Sequence, residues 1–267
     1  MRIQEKLQKL DEMYSRQDLA GAEELLNGWI ADAKAEEDRP SCLTLQNELE
    51  GLYRVTGRAE EACRVSEDSL SLIGRMDLTG TVHHGTTLLN AATANRAAGH
   101  PEEALRYYRE AEEVYRNIPD LPDKDYYRAT LCNNLGQVYQ QMGDDAEAEN
   151  YLREALGLIE GFAGTDSEAA TTKSNLALVL QRLGQQEQAQ EMIRQALLYY
   201  ETPAGQKDNH YTAALGAAGQ IAYAAGDLTE AEAYLTKALE KSLQIFGETP
   251  ETELLRRNLE TVRQMIR

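Results

Sequence analysis

The chain has 267 residues, 42% of them hydrophobic, enough apolar material for a substantial core in one or two domains. Six prolines against 14 tyrosines, among many Ala, Leu, Glu and Gln residues, favour helices over strands or proline-rich linkers. With 27 Lys plus Arg against 45 Asp plus Glu, the net charge of −18 disfavours nucleic acid and membrane partners, although solubility of a large helical surface explains the same number.

In chain order, the opening MRIQEKLQKLDEMY carries charges throughout, so it reads as neither signal peptide nor membrane span, and the cytoplasm is the expected compartment. A ladder of turn glycines then follows: Gly57, Gly99, Gly143, Gly184 and Gly226, with Gln17 in the matching place of an earlier, divergent copy. Five residues after each marker stands an alanine: Ala22, Ala62, Ala104, Ala148, Ala189 and Ala231. Two helical turns later Ala111, Ala155, Ala196 and Ala238 repeat the device, so one face of each second helix is kept small for close packing. Before each marker the apolar spacing is helical, as in Leu135, Gly136 and Tyr139, or Leu176, Ala177 and Leu180. Each unit therefore reads as helix, turn, helix. The glycine ends the first helix, and residues such as Asp144, Gln186 and Asp227 open the second.

The predicted copies span approximately 1–37, 41–76, 83–118, 126–161, 167–202 and 209–246, within a single domain of 1–267. Extra residues fall between units, as at Asn117 to Lys124 and Thr202 to Asn209. Glu50 replaces the usual small residue in the second copy, and Trp29 the second alanine in the first, as expected of atypical terminal repeats. A last segment, 251–266, is apolar through Leu254, Leu255, Leu259 and Val262 and reads as a capping helix.

These residues resemble the tetratricopeptide repeat (TPR) family, most closely over Leu131 to Leu156, LCNNLGQVYQQMGDDAEAENYLREAL. A period of about 42 residues is similar to the lengthened repeat of kinesin light chains and bacterial relatives. The resemblance implies an all-α, right-handed α-solenoid superhelix of about six helix pairs plus the C-terminal cap. It further implies a concave surface lined by the first helices.

On those helices the stripe facing the groove is predicted to carry Thr44, Thr86, Thr130 and Thr171 at one height and Asn90, Asn134 and Asn175 at another, with Asn258 as a possible continuation. An asparagine amide both donates and accepts, so a row of them suits the backbone of an extended peptide; hydrogen bonding to the neighbouring helix is the competing reading. In the resembling families asparagines in this part of the first helix contact bound peptides. Asn133, Gln137, Gln141, Gln181, Arg54, Arg96 and Arg182 lie near the same stripe. The arginines would suit carboxylates of an acidic peptide, or else be solvated or paired internally.

Chemistry finds little support. Cys42, Cys63 and Cys132 show no paired spacing and read as buried thiols; His83 and His84 point about 100° apart on a helix, poor geometry for metal; His100 and His210 read as surface residues. Phosphate-loop, nucleophile-elbow and zinc-protease motifs are missing, so no cofactor, metal or catalytic residue is predicted. The expected function is a non-enzymatic scaffold that holds a protein or peptide segment in the groove. The alternatives are a signalling-peptide sensor acting on a separate output protein, since the repeats leave no room for a DNA-binding module at the start, or a homo-oligomeric assembly unit.

Overall fold

The computed structural model describes residues 2–119, 121 and 123–266. Of the insert expected at Asn117 to Lys124, Asp120 and Pro122 lie outside the described residues, as does Met1 of the first copy. Among the described residues the chain is helical, without strands: α1 (Ile3–Ser15), α2 (Leu19–Ala35), α3 (Arg39–Val55), α4 (Ala59–Arg75), α5 (Val82–Ala97) and α6 (Pro101–Asn117) come first. Then follow α7 (Lys124–Met142), α8 (Asp145–Ile159), α9 (Asp166–Arg182), α10 (Gln186–Tyr200), α11 (Tyr211–Ala224), α12 (Leu228–Phe246) and α13 (Pro250–Ile266). These form six antiparallel-type pairs and a thirteenth helix, the all-α repeat architecture expected from the sequence. Contacts cluster into two compact units, Met1–Leu121 and Pro122–Arg267. Three pairs make up the first unit; three pairs and α13 make up the second.

The turn inside each pair is chemically uniform. In all six copies the residue after the marker donates its N–H to a carbonyl five residues back: Asp18 to Met13, Arg58 to Tyr53, His100 to Asn95, Asp144 to Tyr139, Gln185 to Leu180 and Asp227 to Ala222. That bond closes a Schellman motif, which satisfies a helix-end carbonyl and requires the marker in the left-handed region. The five glycines take φ between 76° and 83°, at no steric cost. Gln17 takes φ 60° with a side chain attached. Three of the second helices are capped as their sequence suggests, Asp18, Asp144 and Asp227 accepting from the N–H of Gly21, Glu147 and Glu230.

The alanine five residues after each marker is fully buried in all six copies. Opposite it, on the first helix, size is traded across the pair. A Cβ on Gly136 would meet Leu152 Cγ at 2.5 Å, and one on Gly219 would meet Leu235 Cγ at 2.6 Å. Ala92 with Tyr108 and Ala177 with Ile193 occupy the same two places in other copies, all four buried. In the second copy the trade is reversed, the large residue being Glu50 and the small one Ser66, each 1% exposed. Ser66 turns its hydroxyl to the Ala62 carbonyl, and among the described residues neither carboxylate oxygen of Glu50 has a hydrogen-bond partner. Arg54 Nε approaches only to 3.9 Å, and burial pushes the Glu50 carboxyl up to about 7.

The capping helix packs on α12 and buries Leu255, Leu259 and Val262, with Leu255 reaching Gly216 of α11. Thr249 and Thr252 exchange side-chain and backbone hydrogen bonds to fix its start. Leu254, expected in the buried stripe, is instead 49% exposed, because it sits 100° around the helix from Leu255. All three cysteines are free and buried.

Candidate functional site

First helices of successive pairs lie side by side within each unit, α3 against α5, and α7 against α9 against α11. In the second unit this face holds two clefts. The first, about 190 Å³, lies between the N-terminal halves of α7 and α9 and is lined by Thr130, Asn133, Glu168 and Thr171, with Ile159 at its wall and His210 at its rim. Of these, Thr130 and Thr171 belong to the predicted stripe and Asn133 to the residues predicted near it. Asn175, one turn further along α9, donates its amide to Asn133 Oδ1 at 3.1 Å. Thr171 shares a 3.0 Å contact with the hydroxyl of Tyr200, whose burial holds its proton well above the usual phenol range. Thr130 donates to the Tyr126 carbonyl of its own helix. Glu168 Oε1 accepts from Tyr126 at 3.1 Å, and that carboxylate is the cleft's negative charge.

The second cleft, about 520 Å³, lies along α11 and α13. Its polar groups are the amides of Gln181, Gln220 and Asn258 and the hydroxyls of Tyr223 and Thr261; its apolar wall is Leu235, Leu254 and Val262. Gly219 borders it because Leu235 fills the space a side chain would need. Asn258 therefore stands in a cleft, while Leu254, absent from the core, is part of the same wall.

The remaining predicted residues are distributed as follows. Asn134 and Gln137 are half-buried on α7, and Gln141 is exposed near its end. Arg182 is held by Asp145 at 3.0 Å and by the Gln140 carbonyl at 3.2 Å. In the first unit Asn90 donates to Asn47 Oδ1 at 3.4 Å, Thr86 stands 3.4 Å from the Tyr115 hydroxyl, and Arg96 is half-buried near Tyr108. In both units an amide nine residues before its marker thus bonds one ten residues before the preceding marker. The same-height alignment of Asn134 with Asn175 misses this stagger, which pairs Asn175 with Asn133 instead. Each such contact uses one donor and one acceptor of two amides that carry more.

Sequence reasoning missed Ser167, Glu168, His210 and Asp208. Ser167 donates to Asp208 Oδ2, and His210 Nδ1 lies 2.9 Å from Asp208 Oδ1. Burial works against charge on Asp208, but the hydrogen bonds from Ser167 and from the His210 backbone and ring outweigh it and hold the carboxyl below its usual range. A nucleophilic serine needs the imidazole as its direct partner. Here the carboxylate stands between the two, and the trio braces the start of α11 to the start of α9. Only the 41-residue separation of Ser167 and Asp208, one repeat, hinted at this.

Among the described residues no group of three or more His, Cys, Asp or Glu side chains is arranged to hold a metal ion, and no helix is long and apolar enough to cross a membrane.

Family models described as tetratricopeptide repeat match residues 41–117 and 127–202, and a further one matches 212–251. No curated protein matches the chain. Among solved structures, BtubC (BKLC) from P. vanneervenii is 19% identical, with 94% of each chain covered and a TM-score of 0.59. The TPR-like repeats of a candidate kinesin light chain from Podosopora anserina are 20% identical over 74% of this chain and 94% of that one, with a TM-score of 0.57. NprR, in complex with its cognate peptide NprX, is 17% identical over 96% of this chain and 71% of that one, with a TM-score of 0.72.

Proposed function

Because this chain belongs to the tetratricopeptide repeat family, we propose that it is a non-catalytic, cytoplasmic scaffold that holds an extended polypeptide segment along the first-helix face of its second unit. The observation that carries this reading is the pair of clefts on that face, each combining side-chain amides with a wall able to take one guest side chain. Amides of Asn133, Asn175, Gln181, Gln220 and Asn258 offer donors and acceptors to a peptide backbone without selecting a sequence. Selectivity then falls to the walls. Leu235, Leu254 and Val262 suit an apolar residue, and Glu168 suits a hydrogen-bond donor or a cation.

The test is selection of binders from a random peptide display library on the intact protein, followed by fluorescence anisotropy of the best peptides. Asn133→Ala with Asn175→Ala is expected to weaken binding at least tenfold with the helical circular dichroism unchanged. Undiminished affinity in that folded double variant overturns the reading. A second reading, a sensor of a short signalling peptide that acts on a separate output protein, draws support from NprR being solved with its cognate peptide. It requires a shape change on binding, which small-angle scattering with and without a selected peptide measures.

A further inference from the structure

The first unit holds a cleft of a different character, about 420 Å³, between α2 and α4 with the start of α3 beneath. Cations from three helices border it: Lys34, Arg39 and Arg75. Glu37 and Asp68 are the acids, so its residues carry a net charge of +1 (three minus two) in a chain of −18. The internal pairing is incomplete. Lys34 reaches Asp68 only at 3.8 Å, with both side chains more than half exposed. Arg39 Nη1 donates at 2.7 Å to the Arg75 carbonyl, which fixes the guanidinium at the cleft without neutralising it. Neither Arg39 nor Arg75 has a carboxylate partner among the described residues, whereas Arg58, Arg106, Arg153, Arg182 and Arg256 each do.

Two further observations separate this cleft from incidental surface charge. At its floor lies Gln46, 4% exposed, whose amide oxygen takes a 3.4 Å contact from Ser69, beside the buried thiol of Cys42 and Leu72. An apolar floor with a buried amide raises the strength of any charge pair formed over it. The repeat itself supplies the second. Lys34 lies 17 residues after the first marker, Arg39 lies 18 before the second and Arg75 lies 18 after it. The same three places hold Gly74, Thr81 and Asn117 in the next interval. In the second unit they hold Glu160, Asp166 and Thr202, then Glu201, Asp208 and Gln244. Nothing in the repeat's packing asks for cations there.

We infer that this cleft binds a single carboxylate, clamped by the guanidinium groups of Arg39 and Arg75 and the ammonium of Lys34. A net +1 matches a monoanion, and planar guanidinium forks match its two oxygens. The carboxylate comes either from a chain terminus or from an acidic side chain of a bound polypeptide. This site is separate from the clefts of the second unit and stands without them.

The test is titration of the full chain, at constant ionic strength, with N-acetylglycine as a terminal carboxylate and N-acetylglutamate α-amide as a side-chain carboxylate, following the arginine Nε–Hε resonances by NMR. Saturable shifts of Arg39 and Arg75 with either probe, weakened at least tenfold in Arg75→Gln, are expected, and the tighter probe identifies the source. Arg75 is an exposed last residue of α4, so its replacement leaves the fold intact, which the melting temperature checks. Shifts that rise without saturating, tighter binding of inorganic phosphate than of both carboxylates, or unchanged affinity in Arg75→Gln would each overturn the assignment.

Discussion

Glu50 is where a single side chain departs furthest from its ordinary chemistry. Its carboxyl is 1% exposed, lacks a hydrogen-bond partner among the described residues, and is pushed by burial up to about 7 from 4.5 for the free group. A pKa raised on folding means that the native state holds its proton more tightly than the unfolded chain. The stabilisation is therefore full below about 4.5 and is lost as pH rises through about 7. Glu50→Gln keeps the shape and removes the titration. Urea melts are expected to show it more stable than the wild type at pH 8 by up to about 3 kcal/mol, and close to it at pH 4. Gln17 is the complementary case, a residue whose backbone rather than side chain is under strain, at φ 60° where every later copy has glycine. Left-handed backbone costs an L-residue roughly 1–2 kcal/mol. Gln17→Gly is thus expected to raise stability by about 1 kcal/mol, after its greater unfolded-state entropy is subtracted, as a higher melting temperature.

At the level of helices, two effects of similar size compete at Gly136. Alanine in a helix interior gains about 1 kcal/mol over glycine. A methyl group there would meet Leu152 Cγ at 2.5 Å and the Ala148 carbonyl at 3.2 Å, and overpacking of that kind costs roughly 1–3 kcal/mol. Leu152 is fully buried and cannot swing away, so Gly136→Ala is expected to lower the denaturation midpoint despite its better propensity. The same pairing shows how far the sequence could be read. Turn glycines, cap aspartates and buried alanines are local chemistry repeated at a fixed period, and each helix follows from them. The cleft residues lack that property. Ser167, Asp208 and His210 meet only because helices one repeat apart present their starts to each other, and Asn133 rather than Asn134 meets Asn175 because neighbouring first helices are staggered. Spacing counted along one helix carries no record of that offset.

For the whole molecule, net charge decides the direction of the salt response. A charge of −18 destabilises the compact state by self-repulsion, which added salt screens. Salt also weakens ion pairs, but those here are largely exposed, and exposed pairs contribute about 0–1 kcal/mol each. The melting temperature is therefore expected to rise between 10 and about 150 mM sodium chloride, where the Debye length falls from roughly 30 to 8 Å. The reversed pairing of Glu50 with Ser66 bears on ancestry as well as on stability. Repeat arrays grow and shrink by unequal crossing-over, which joins the first helix of one copy to the second helix of another. A chimaera carrying α3 before α8 would drive a carboxylate into Leu152, and its reciprocal would leave Gly136 facing Ser66 across an empty space. The two helices of the second copy can be inherited only together, so that copy marks a fixed point in the array.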